Sequence, residues 1–202
     1  MTKKPQQRTL VTRERILDAA RALCASVGIE QVTGDAIAEK AGVAKGTVFA
    51  HFGDMDGLLS HVLLDDLRAI LTADYSDKWP TDGNRLVAVN VMMMQFVEVV
   101  GQNRTMMRLF LKNTGTTDGS YAPEFIETLS QLDETLLQFL NAWKADTSLK
   151  PTLRDDREPA ELMDGLVAFM THVSVQCQCG QIPNMEEARK TLFRHSEAWL
   201  IA

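Results

Sequence analysis

The stretch Thr33–Phe52, TGDAIAEKAGVAKGTVFAHF, decides the fold. Ile37, Ala38 and Ala41 fall at i, i+1 and i+4, which puts them on one face of a short helix. Gly42 stands where that helix must stop, at a position that favours a left-handed backbone. Val43 follows as a buried turn residue. Lys45 to Ala50 spell a second helix, with Val48 as its inward anchor and Phe49 and Phe52 near its end. Ala38 is small where the two helices must approach. Two short helices joined in this way form a helix-turn-helix, whose second helix enters the DNA major groove.

Upstream, Ile16, Leu17, Ala20, Leu23, Cys24 and Val27 make one apolar stripe, which predicts a supporting helix over 12–27. Thr12 is its expected N-cap, Val11 and Ile16 are spaced as a hydrophobic staple, and Gly28 ends it. Residues 1–11, with Lys3, Lys4 and Arg8, read as a basic tail: solvated, or an arm along DNA. Downstream, Asp54 caps a helix to about residue 73 whose apolar face runs from Leu58 to Leu71.

The rest of the chain reads as helices separated by turn-rich stretches. Residues 74–83 form a loop, 84–101 an almost wholly apolar helix, 103–112 a short helix and 113–121 a Gly/Thr-rich loop. Pro123 opens a helix to about residue 145, and 146–157 is a polar linker. Pro159 opens another helix to about residue 180, and Asn184 with Glu187 is spaced as a capping box for the last one. The 159–180 helix has two apolar stripes: Leu162, Leu166, Phe169, Val173, and Met163, Val167, Met170, Cys177. One serves the protein's own core, and the other asks for a second surface, most economically a partner subunit. Met92, Met93 and Met94 are adaptable packing or the wall of a pocket that repacks round its ligand. Glu98 is expected to pair with Arg104 or Arg108 in preference to meeting a cationic ligand, because a buried unpaired carboxylate is costly.

At 202 residues the chain can bury a real core, and 45% hydrophobic with 24% charged residues is ordinary for a globular protein. The most apolar run, 86–100, is too short and too polar to span a bilayer, and residues 1–10 have no signal-peptide pattern. A cytoplasmic protein is expected. Residues 1–53 hold eight Lys/Arg against five Asp/Glu; the remainder holds thirteen against twenty-two. A basic end on an acidic body suits a protein that places that end on phosphates. Cys24 reads as core. Cys177 and Cys179 face apart on a helix, so they make neither a bridge nor a metal pair, which leaves core or surface thiols or a redox role for one of them. The four histidines are scattered, with no HExxH, G-x-S-x-G or phosphate-binding glycine motif, so an enzyme is not expected, nor a cofactor or metal. His172 reads as a ligand hydrogen-bonder or a satisfied core or interface histidine.

Arg13-Glu14-Arg15-Ile16-Leu17-Asp18-Ala19-Ala20, Gly28, Ile37-Ala38, Ala41-Gly42-Val43, Gly46-Thr47-Val48-Phe49, His51-Phe52 and Leu58-Leu59 together resemble the DNA-binding region of the TetR/AcrR family. The resemblance covers about the first 60 residues. It implies an all-α protein of about nine helices: a helix-turn-helix domain at 1–53 and a ligand-binding and dimerisation domain at 54–202. It implies a homodimer on double-stranded operator DNA, a repressor released by a small hydrophobic or amphipathic effector. By the same resemblance, Thr33, Lys45, Gly46, Thr47, Phe49 and His51 would meet DNA. The effector pocket would draw on Met93, Met94, Phe96, Phe110, Trp143, Phe169 and His172. Leu166, Val173, Leu192 and Trp199 would lie at the subunit interface. Phe49 stands where the family usually has Tyr, Met55 where it has Lys, and Ala44 where it has a capping Ser or Thr. The alternatives are a helical binding protein or enzyme with a vestigial DNA-binding end, or a thiol-based redox regulator.

Overall fold

The computed structural model describes residues 4–72, 83–115 and 122–201. Among them are nine α-helices: α1 Lys4–Val27, α2 Gly34–Ala41, α3 Lys45–Phe52, α4 Met55–Thr72, α5 Arg85–Gln102, α6 Arg104–Gly115, α7 Pro123–Ala145, α8 Pro159–Gln178 and α9 Met185–Leu200, with a 3-10 turn at Ile29–Gln31. The fold is all-α. The one extended pairing among the described residues is an isolated antiparallel bridge between Leu153 and Ile201. No helix there is long and apolar enough to cross a membrane.

Most boundaries follow the local signals. Asn84 caps α5 through its side-chain oxygen, which accepts from the Leu86 and Val87 amides. Asp54 caps α4 through the Gly57 amide at 2.7 Å. Asn184 caps α9 through the Glu187 amide, while the Glu187 carboxylate turns to Lys190 instead of completing a capping box.

The first helix departs from expectation. It starts at Lys4, so Thr12 lies inside it and caps nothing, and Val11 is 63% exposed and staples nothing. Arg8 is an exposed helical residue, while Lys3 lies outside the described residues. The sixth helix also runs past its expected end at 112, to Gly115. The expected 74–83 loop, apart from Gly83, and residues 116–121 of the next loop lie outside the described residues.

The chain divides into two compact units: Met1–Asp65 with Arg108–Ile126, and Asp66–Met107 with Glu127–Ala202. Each is made of two separate stretches, where the sequence suggested a single division at 53/54. The first unit is built on Ile16, Leu17, Ala20, Ile37, Ala38, Ala41, Val48, Phe52 and Leu58, all buried in one cluster. Asp56, almost buried, ties the start of α4 to the 108–126 stretch. It accepts hydrogen bonds from Arg108 and, at 2.6 Å, from Lys112. Burial pushes the Asp56 carboxyl up, but the two cations outweigh it and hold the group below its ordinary range. Ser60, fully buried, accepts the Ala122 amide at 2.8 Å.

In the second unit α5 packs on α8 and α9, and α8 packs on α9. The stripe that α8 turns inward is Leu162, Leu166, Met170 and Val173, which takes members from both expected stripes. Leu166, Val173 and Leu192, expected at a subunit interface, are each 0% exposed within the chain itself. Trp199 is half-buried: its Nε1 donates to the Leu162 carbonyl at 3.0 Å, and the guanidinium of Arg157 lies 4.4 Å from its ring centroid. Glu98 pairs with Arg189 of α9 at 3.3 Å and not with Arg104 or Arg108; Arg108 is taken by Asp56. The 146–157 linker is strapped down. Trp143 Nε1 donates to the Pro151 carbonyl and Lys144 Nζ to the Arg157 carbonyl.

Gly165 is where α8 and α9 come closest to a steric limit. A Cβ there would sit 2.3 Å from the Trp199 indole. Overfilling a packed contact typically costs about 1–3 kcal/mol. Gly165→Ala is therefore expected to lower the unfolding free energy by that amount, read from the shift of the urea midpoint, and an unchanged midpoint would mean that the indole moves aside freely.

Candidate nucleic-acid interface

The helix-turn-helix forms as its residues dictate. The Thr33 hydroxyl accepts the Ala36 amide at 3.2 Å and starts α2. Gly42 ends α2 in the left-handed region, φ 63°, and its N–H returns to the Ala38 and Glu39 carbonyls. The Val43 amide bonds to the Ala38 carbonyl at 3.0 Å, and Val43 packs half-buried on the core. Helix α3 then sends Val48 and Phe52 inward.

The expected contact residues lie on or beside the outer face of α2 and α3. Thr33, Lys45 and Gly46 are exposed; Thr47, Phe49 and His51 are half-buried. Lys45 Nζ meets the Asp35 carboxylate at 2.8 Å, both side chains being largely in solvent. Such a pair is worth little, about 0–1 kcal/mol, so the ammonium remains available to a phosphate. A Cβ at Gly46 would meet nothing within 4 Å, so packing inside the protein does not require this glycine. Phe49 has a structural role. A Cβ on Gly34 would fall 2.8 Å from the tip of its ring, so α2 begins on a glycine that makes room for it. Met55 likewise packs against the core of this unit.

Two residues that sequence reasoning assigned no role, Arg13 and His61, hold α3 in place. Arg13 of α1 donates to the His51 carbonyl at 2.9 Å, lies 2.6 Å from His61 Nε2, and stacks its guanidinium 4.3 Å from the Phe52 ring centroid. His61 of α4 also meets Phe52 edge-on, with centroids 5.6 Å apart. Burial, reinforced by the Arg13 charge, holds the His61 imidazole below its ordinary pKa. Asp56 and its two cations were likewise not foreseen. These contacts join residues 38 to 56 positions apart, and no local pattern announces them.

The expected effector residues do not gather as one set. Met93, Met94, Phe96 and Trp143 are buried in the second unit, whereas Phe110 is buried in the first. Phe169 is half-buried, stacked on His195 at 5.2 Å, and His172 is exposed. Asn90, one turn before Met93 and Met94 on α5, is 4% exposed, and its Oδ1 has no hydrogen-bond partner among the described residues. An open, mostly charged groove on α9, lined by Glu187, Arg189, Lys190, Phe193 and Arg194, shares none of these residues. Burial pushes the Cys177 thiol up, away from the reactive thiolate, and Cys179 is exposed. No group of three or more His, Cys, Asp or Glu among the described residues is arranged to hold a metal.

Residues 16–62 match the family model for bacterial regulatory proteins of the tetR family. The HTH-type transcriptional regulator AcrR of Shigella flexneri is 33% identical over 84 residues, covering 41% of this chain and 39% of that protein. The HTH-type transcriptional repressor KstR of Rhodococcus jostii (strain RHA1) is 28% identical over 167 residues, 80% of this chain and 74% of KstR. The chain thus spans well under two thirds of the first relative and about three quarters of the second. The crystal structure of a TetR transcriptional regulator from Rhodococcus sp. RHA1 shares the fold at a TM-score of 0.60, with 18% identity and 94% of each chain covered.

Ala44 sits at the N-cap of α3 in an extended conformation, φ −69° and ψ 147°, with no side-chain hydrogen bond to the helix. The backbone is already in capping geometry and lacks only the oxygen. Ala44→Ser is expected to raise stability by about 1 kcal/mol, within the roughly 0.5–2 kcal/mol range for such caps. Chemical denaturation measures it, and no gain would mean that the α3 amides are already satisfied.

Proposed function

We propose that this chain, which belongs to the TetR/AcrR family of transcriptional regulators, is a homodimeric repressor that reads a palindromic operator through α3 and leaves it when a small molecule binds the second unit. The observation that carries the reading is the state of α3. Its inner residues Val48 and Phe52 are locked into the core, while Lys45, Gly46 and Thr47 lie on its outer side, the Lys45 ammonium held only by a solvent-exposed pair with Asp35 and the glycine not needed for packing. Lys45 and the His51 side chain would meet phosphates, Gly46 would let the DNA backbone come close, and Thr47 would meet a base edge or phosphate. Phe49 contributes packing. The test is selection of DNA from a random pool, which should return a palindrome; a non-palindromic or absent consensus would overturn the reading.

The subunit face assigned to the outer side of α8 is Asp164, Ala168, Thr171 and Val175, which share one stripe, with Val175 38% exposed. The protein should sediment at twice the chain's 22.5 kDa. Ala168→Asp with Val175→Asp should halve that mass. The effector is assigned to the second unit, beside Met93 and Met94. A hydrophobic or amphipathic molecule with one hydrogen-bond donor suits the Asn90 carbonyl there, and must favour one dimer state over the other to act.

Salt titration of operator affinity measures the phosphate contacts. Each neutralised phosphate adds roughly 0.9 to the magnitude of the log–log slope. Lys45→Met should shallow the slope by about that amount and Met55→Lys should steepen it by about the same. Neither should change the preferred sequence, since phosphate contacts position and base contacts specify. Unchanged slopes in both would place these side chains off the DNA.

A further inference from the structure

The guanidinium of Arg13 sits between three elements. One nitrogen donates to the His51 carbonyl, in the last turn of α3, at 2.9 Å. Another stands 2.6 Å from His61 Nε2 on α4. The plane lies over the Phe52 ring, which His61 meets edge-on. Arginine has donors only and stays charged at any ordinary pH. The imidazole nitrogen facing it must therefore be the acceptor, so the contact exists only when His61 is neutral, with its proton on Nδ1. A protonated His61 would turn a donor and a positive charge toward the guanidinium.

The His51 carbonyl lies in the last turn of α3, where helix carbonyls lack intrahelical partners and a cation is favourable. Helix α3 has only eight residues and no side-chain cap at its start, so this contact bears directly on where its last turn points. We propose that Arg13 is a positioning residue for the last turn of α3 and that neutral His61 holds it in place, so that protonating His61 releases that turn. Resting on the reading of α3 as the DNA-contacting helix, the same protonation weakens operator binding in mildly acid solution.

The charged groups around His61 are Arg13, Arg21 and Glu14 from α1 and Glu124 at the start of α7. The two arginines and burial favour the neutral ring; the two glutamates favour the charged one, and the first set prevails. With the folded value below the unfolded one, the stabilising effect is complete above the ordinary histidine pKa of about 6.5 and is lost as pH falls through the folded value.

The decisive measurement uses the whole protein without DNA. Histidine side-chain and backbone amide resonances are followed by NMR from about pH 7.5 to about pH 5. His61 should titrate below its ordinary value, and the Phe52 and Gly53 amides should move with the same midpoint. In His61→Gln, whose amide can still accept from Arg13 but does not titrate, that movement should vanish. In Arg13→Met the two amides should sit near the parent's acid-limit positions at neutral pH. Amides that ignore His61, or a His61 that titrates at or above its ordinary value, overturn the proposal.

Operator affinity at constant ionic strength is the second arm. The parent should bind roughly five- to tenfold more weakly at about pH 5.5 than at about pH 7.5, the size of losing one ordinary hydrogen bond. In His61→Gln that pH-dependent weakening should vanish. Responsive amides with no DNA bound at any pH would sink the operator reading and leave the Arg13 anchor standing. Responsive amides with affinity unchanged in both proteins would overturn the link between that anchor and DNA binding.

Discussion

The shared core under α2 and α3 is the constraint on which the DNA-facing end depends. Each of these helices has eight residues. Isolated helices shorter than about a dozen residues do not persist in water. They exist here because Ile37, Ala38 and Ala41 from one side and Val48 and Phe52 from the other are buried with Ile16, Ala20 and Leu58. The turn between them rests on Gly42 taking a left-handed conformation at φ 63°, which other residues rarely adopt, beside the small buried Ala38. Helix α3 is the least self-sufficient piece. It has two inward anchors, no cap at its start and a guanidinium from α1 at its end.

Much of this was legible in the residues. The α2 boundaries, the start of α3, the Thr33 cap and the Gly42 stop follow local rules that act within a few residues, whereas α3 runs two residues past its expected end at Ala50, to Phe52. The start of α7 at Pro123 and its end at Ala145 follow such rules as well. The start of α1 was not legible, because residues 4–11 are polar without being helix-breaking; Pro5 falls in the first turn, where no intrahelical N–H bond is needed. Their helical state shows in no apolar period.

Periodicity also identified two apolar stripes on α8 but could not say which faced inward. The inner one mixes both, since Leu162, Leu166 and Val173 are joined by Met170 and not by Phe169. Glu98 was matched to the nearest cations along the chain, whereas its partner Arg189 lies 91 residues away. Within the site, outward positions on α3 followed from helical geometry. The structural use of Phe49 did not, because it depends on the absence of a side chain at Gly34, on another helix.

The Ser60 and Asp56 contacts have a consequence for how such a protein can be taken apart. The Ala122 amide on Ser60, and Arg108 and Lys112 on Asp56, come from a stretch more than 40 residues further along the chain. A fragment ending at residue 65 would take the Ala122 amide from a fully buried hydroxyl, which keeps only its bond to the Gly57 carbonyl, and both cations from an almost buried carboxylate, leaving Asp56 as an uncompensated charge at the entrance to α4. The DNA-facing end is thus not a cassette. Recombination that grafts the first 65 residues onto an unrelated body must bring, or reinvent, the stretch around residues 108–126.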